Sequence, residues 1–122
     1  MDYHLTNRVL TSFYVGEVHG RITARARRLA EMLDVIDPAV ATPDLWGERW
    51  SKLCVNGMRN GVSAATGMYG NERDADQDVR RFCIRLGGKA VRVAQALGHE
   101  IDKVGNVDAE VLASAAGETP RR

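Results

Sequence analysis

From Arg21 almost to its end, the chain repeats apolar residues three and four positions apart, the period that lets a helix bury one face. The first such segment carries Ile22, Ala26, Leu29, Ala30, Leu33 and Ile36, with Arg25, Arg27, Arg28 and Glu31 on its other sides. Asp37-Pro38 ends it, because a residue before proline is pushed out of the α region. Residues 38–41 are then expected to form a loop. Thr42-Pro43-Asp44 opens the next helix with a capping hydroxyl, a proline suited to the first position and an acid at the positive dipole end. That helix is expected to run from Pro43 to about Ala65 and to break at Gly67 and Gly70. Asn71–Asp78 is polar and reads as a loop or as the first turns of a helix. A third helix takes Val79, Phe82, Cys83, Leu86, Ala90, Val93, Ala94 and Leu97 up to Gly98, where a C-terminal glycine cap belongs. Residues 107–116 suggest a short last helix, and 117–122 a polar tail.

Only Val9–Val15 reads as a strand, a β-branched and aromatic run closed by Gly16 and preceded by a mixed polar terminus. A single strand leaves its backbone groups unpaired, so it requires a sheet from elsewhere. The expected fold is mostly α with one N-terminal strand.

At 122 residues the chain suits one domain, and its 17 Lys and Arg against 16 Asp and Glu leave a net charge of +1. That balance argues against a nucleic-acid or anionic-membrane binder. The arginines between Arg21 and Arg28 are flanked by Glu17, Glu31 and Asp34 and read as a solvated face. No apolar run approaches the ~18 residues of a membrane span, and no signal peptide opens the chain. Cys54 and Cys83 form no CxxC and fall on apolar helix positions, as buried thiols do. His4, His19 and His99 are scattered, so no metal site is expected. A cytoplasmic protein is the expectation.

All but three of the cationic residues are arginine, and one exception, Lys52, begins the most informative stretch. At ~100° per residue, positions four apart drift only ~40° around a helix, so Lys52, Asn56 and Asn60 form a stripe about 80° wide. Trp46, Trp50, Leu53, Val55, Met58 and Val62 run beside it. Asparagine is a poor helix former, and Gly57 and Gly61 in the same helix cost ~1 kcal/mol each against alanine. The glycines fit either close helix packing or the approach of a ligand to bare backbone. An ammonium with apolar walls can protonate an oxygen that gains negative charge, while amides hold a substrate's oxygens. Partial burial would tune the lysine towards neutrality. A solvated polar face is the plainer alternative. Trp46 and Trp50 read as core or domain-interface anchors.

Trp50-Ser51-Lys52-Leu53, followed by Asn56, Asn60 and Ser63-Ala64-Ala65-Thr66-Gly67, resembles the signature of the C-terminal domain of ketopantoate reductases (2-dehydropantoate 2-reductases). Gly16-Glu17 with Gly20 resembles the crossing into the helical domain of that family, and Arg92–Gly98 its later glycine-capped helix. The likeness runs from about Leu10 to Gly117. It implies a helical domain like that of 6-phosphogluconate dehydrogenase-type reductases, with residues 1–16 the tail of an absent Rossmann domain and 17–122 the substrate and catalytic domain.

The resemblance further implies an NADP-dependent oxidoreductase that reduces ketopantoate to pantoate in pantothenate biosynthesis. Lys52 would be the general acid, and Asn56 and Asn60 would bind the substrate. No Gly-x-Gly pair occurs, so NADP would be held by a domain outside this chain or by a separate chain. Lys89 stands where members of the family carry a glutamate. The family's distal serine and glutamate would lie beyond the end of the chain, which is therefore expected to be truncated and inactive alone. The alternative is a non-catalytic helical module that uses exposed apolar surface for dimerisation or partner binding.

Overall fold

The computed structural model describes residues 11–117. The expected polar N-terminus, the start of the strand at Val9-Leu10, His4 and most of the polar tail lie outside the described residues. The chain divides into two compact units, one up to Trp46 and one from Gly47. The first is a strand–helix–strand unit, and the second is built mainly from helix.

In the first unit, β1 (Phe13–Val15) leads through a turn to α1 (Ala24–Asp34) and back to β2 (Ala39–Ala41). The two strands pair in parallel, with Phe13 opposite Ala39, Tyr14 opposite Val40 and Val15 opposite Ala41. The expected loop at 38–41 is therefore a strand. It supplies the partner that β1 needs, and three residues are too few for an alternating pattern to announce it. The Pro38 carbonyl accepts from the N–H groups of Ser12 and Phe13 at 2.8 and 3.1 Å, and Thr42 N–H donates to Val15 at 2.8 Å. Gly16 is required at the exit of β1, because a Cβ there would stand 2.9 Å from the Thr42 carbonyl oxygen.

Helix α1 buries Ala26 and Ala30 on the face turned to the two strands. Its N-cap is Thr23, whose hydroxyl accepts from Ala26 N–H at 3.1 Å and donates to Glu17 at 2.6 Å. Leu29, Met32, Val35 and Ile36 stay exposed on the same helix and its end. The expected start at Arg21 moves to Ala24 because the threonine cap sets the first turn.

In the second unit, α2 (Leu45–Val55) passes without a break into a π-helical segment (Asn56–Gly61) and then α3 (Val62–Thr66). The helix expected to be one α-helix over residues 43–65 is thus three segments in succession, α, π and α. Asn56, Gly57, Asn60 and Gly61 are all weak α formers, so the α hydrogen-bond ladder has least to lose there. Gly67 ends the rod as expected, in the left-handed region at φ +73°. Gly70 does not break a helix but begins α4 (Gly70–Ala75), which is followed by α5 (Gln77–Ala96). The Asp76 carboxylate caps α5 by accepting from Asp78 and Val79 N–H at 2.9 Å each.

Helix α5 ends as its glycine implies. Gly98 N–H donates to Gln95 and His99 N–H to Ala94, at 2.9 and 3.0 Å, the paired bonds of a Schellman cap. A hairpin follows, β3 (Lys103–Val104) and β4 (Val107–Asp108), with Gly105-Asn106 between them. The last helix, α6 (Ala109–Ala115), begins two residues later than expected. Val107 and Asp108 belong to the hairpin, and the Asp108 carboxylate accepts from Glu110 and Val111 N–H.

The core of this unit is Cys54, Val91, Val104, Ala109, Leu112 and Ala113, with Val55, Met58, Ile84, Ala90 and Ile101 packed against it. Close approach of α5 to α6 rests on Gly88, where a Cβ would lie 2.2 Å from the Leu112 carbonyl oxygen. At Gly87 it would meet the Met58 sulfur at 2.7 Å. Close helix packing, one of the two readings open for Gly57 and Gly61, occurs at this glycine pair and not at those positions.

Candidate functional site

The rod formed by α2, the π-helical segment and α3 carries two rows of side chains with the same spacing of four. Cys54, Met58 and Val62 form the inner row: Cys54 and Val62 are buried, and Met58 packs against the core. Lys52, Asn56 and Asn60 are offset from it by two residues, about 200° around an α-helix, and all three are exposed. Burial of the first row therefore turns the second outward.

The π-helical geometry sharpens the outer row. Residues four apart overshoot a full α-turn by about 40°, whereas an i→i+5 turn is wider and brings them closer to eclipsed. The Asn60 amide nitrogen donates to the Asn56 side-chain oxygen at 3.4 Å, so these two carboxamides share one face. Lys52 stands one turn towards the N-terminus on the α-helical part of the rod. The partial burial expected of Lys52 is not found, since the residue is exposed. Beside the stripe the surface is low: a Cβ at Gly57 would meet nothing within 4 Å, and one at Gly61 would meet only the Asn56 carbonyl oxygen at 3.8 Å. Of the apolar neighbours, Val62 is buried, Val55 and Met58 line the core, and Leu53 and Trp46 are exposed at 56% and 41%.

The rod is tied to its surroundings at both ends. Near Lys52, the Ser51 hydroxyl donates to the Lys103 carbonyl of the hairpin at 2.6 Å, and the Trp50 ring lies against His99 with centroids 5.6 Å apart. Trp50 is thus an anchor within its own unit. Near Asn60, the guanidinium of Arg73 on α4 reaches the Arg59 carbonyl and the Ser63 hydroxyl, each at 3.0 Å. Arg73 is only 4% exposed, although it lies within the polar stretch 71–78. An arginine inside a polar segment carries no mark of burial in the sequence; only the fold shows which carbonyl it reaches.

The remaining candidates are not members of the stripe. Cys54 and Cys83 are buried, and burial pushes both thiols up from their ordinary range. His19 accepts from Arg21 N–H at 3.1 Å on the surface of the first unit. Arg25 donates from its fork to Glu17, and that bond, helped by the Thr23 hydroxyl, holds the Glu17 carboxyl down at about 2. Lys89 is exposed on α5. Among the described residues, no helix is long and apolar enough to cross a membrane.

The family model described as the C-terminal domain of ketopantoate reductase PanE/ApbA matches residues 44–122, which include the whole rod. The chain belongs to this family. Its mostly helical second unit is the part that the match covers, and the resemblance drawn from Trp50–Gly67 rests within it. Comparison with curated proteins gives no match, and neither does comparison with solved structures.

Proposed function

We propose that this chain supplies the substrate-holding and proton-donating face of an NADP-dependent oxidoreductase that converts ketopantoate to pantoate in pantothenate biosynthesis. The observation that carries this reading is the outward row Lys52, Asn56 and Asn60, lying opposite a buried row within the stretch that matches the ketopantoate reductase family.

In this reading the carboxamides of Asn56 and Asn60 bind the substrate's hydroxyl and carboxylate oxygens. Their mutual contact at 3.4 Å is long for an N–H···O bond, so both groups can turn to a ligand at small cost. The bare backbone at Gly57 gives the ligand room beside them. As the 2-oxo carbon gains the hydride that NADPH on the nucleotide-binding domain would supply, its oxygen gathers negative charge, and the Lys52 ammonium gives up a proton to it, leaving the 2-hydroxy acid and a neutral amine. The described residues offer no glycine-rich phosphate turn and do not fit NADP, so the reading assigns the cofactor to a separate nucleotide-binding domain.

Titration of ketopantoate into the ¹⁵N-labelled full chain, followed at the side-chain amides of Asn56 and Asn60, tests the proposal. Saturable shifts at both amides, lost in Asn56→Ala, are expected. Shifts that ignore both residues, or none at millimolar ligand, would overturn the assignment. The second reading, a non-catalytic interaction or dimerisation module, draws on the exposed Phe82, Val93 and Leu97 along α5. It predicts a concentration-dependent change of mass and no ketopantoate response.

A further inference from the structure

A run of π-helix has to be held, because its hydrogen bonding is less favourable than that of the α-helix on either side. Within Asn56–Gly61 the weak point is the Arg59 carbonyl. It accepts from Val62 N–H, only three residues on, where the α-helical ladder would use the fourth. The same oxygen accepts from Arg73 Nη1 at 3.0 Å. That nitrogen also donates to the Ser63 hydroxyl at 3.0 Å, one turn further along the rod. One buried guanidinium nitrogen therefore bridges the junction between the π-helical segment and α3.

The guanidinium is itself fixed. Its Nε donates to Asp74 Oδ1 at 2.9 Å, and its Nη2 lies 2.8 Å from the same oxygen. The other carboxylate oxygen of Asp74 accepts from the side chain of Arg59 at 2.7 Å. Arg59 is thus gripped twice, through its carbonyl by Arg73 and through its guanidinium by Asp74. Asn60 is the next residue along, and Asn56 begins the segment. Arg59 therefore lies between the two carboxamides along the segment.

We propose that Arg73, held by Asp74, is a positioning residue that keeps Asn56–Gly61 in its π-helical geometry and so sets the spacing of Asn56 and Asn60 for the ligand. The link to a ligand rests on the reading of the stripe as a substrate site; the effect on the segment does not. Arg73→Lys keeps the charge and loses the planar fork that reaches two acceptors at once. Ser63→Ala keeps Arg73 and removes one of those acceptors.

The test is hydrogen exchange, followed amide by amide in the full chain, with ketopantoate titration of the same samples. In Arg73→Lys, exchange at residues 57–62 is expected to rise at least tenfold. Protection along α5 at Val91 and Ala94 should hold, and ketopantoate affinity should fall several-fold. Ser63→Ala should show the same pattern more weakly, and it carries the test if Arg73→Lys does not fold. Unchanged exchange at 57–62, or a rise shared equally by α5, would overturn the proposal, the second because Arg73 would then be a general stability residue. If exchange changes selectively but Asn56→Ala leaves the ketopantoate response of the parent chain intact, the positioning role stands and the substrate assignment fails. If Asn56→Ala abolishes that response while Arg73→Lys leaves the segment unmoved, the reverse holds.

Discussion

The side-chain nitrogen of Asn60 lies 3.4 Å from the side-chain oxygen of Asn56, inside a π-helical segment and on the side of the rod away from Cys54 and Val62. Two exposed amides in a stretch of poor helix formers do little for stability. Asparagine at an exposed helical position costs up to ~0.7 kcal/mol against alanine. Asn56→Ala is therefore expected to raise the melting temperature slightly. The same substitution should weaken ketopantoate binding by about 1–3 kcal/mol through the lost hydrogen bond. Paired thermal melts and titrations of the parent, Asn56→Ala and Asn60→Ala check this. Loss of stability in step with loss of affinity would mean that the amides serve the fold.

Lys52 is expected to act on the reacting oxygen and not on the nucleotide. In an enzyme reconstituted with a nucleotide-binding domain, Lys52→Ala should lower kcat by about 10²–10⁴-fold, the usual weight of a positioned general acid. NADPH affinity should stay nearly intact. Steady-state kinetics with separate NADPH titration checks the split between the two. Equal turnover in mutant and parent would remove the general-acid role.

The glycines of the second unit should respond in opposite directions. A Cβ at Gly88 would collide with the backbone oxygen of Leu112 at 2.2 Å, and backbone cannot step aside. Gly88→Ala should destabilise by about 1–3 kcal/mol or more, as overpacking does. At Gly57 nothing lies within 4 Å, so Gly57→Ala should stabilise, by up to about 1 kcal/mol. Its added methyl should nevertheless reduce ketopantoate binding, because it occupies the low surface beside Asn56. Urea unfolding of both variants measures the two signs directly.

Much of this organisation was legible in the chain, and what was not has physical causes. Gly67 and Gly98 marked helix ends because only glycine accepts their positive φ without strain. The row of Lys52, Asn56 and Asn60 followed from spacing alone, because four-residue steps survive the change from α to π geometry. That change itself left no periodic trace. It depends on Arg73 meeting the Arg59 carbonyl, a contact between residues 14 apart. The strand Ala39–Ala41 was hidden by its length and by its dependence on a partner 26 residues away. The hairpin did leave a signal, Val104-Gly105-Asn106-Val107, a two-residue glycine turn between β-branched residues. The apolar periodicity assigned to the last helix masked it. Nothing in the periodicity of α5 marks Gly87 and Gly88, because their role is set by Met58 and Leu112, which lie far off in the chain.

The last prediction concerns acid. Glu17 accepts from the Arg25 fork and the Thr23 hydroxyl, and these bonds lower its carboxyl from about 4.5 to about 2 in the folded chain. A folded-state value below the unfolded one means that the carboxylate's contribution is fully present above pH ~4.5 and is lost as pH falls towards ~2. The first unit should therefore loosen over that window, because Thr23, one partner of Glu17, is the N-cap of α1. Glu17→Gln should flatten the pH dependence of stability between about 4.5 and 2, with the parent and the variant converging at the acid end. Arg25→Gln should remove most of the same dependence, since the Arg25 bond is the larger cause. Far-ultraviolet circular dichroism melts across the window, with amide exchange at Ala26 as the local reporter, check the expectation. A parent and a Glu17→Gln variant with parallel profiles from pH 5 to 2 would show that this carboxylate carries no share of the acid response.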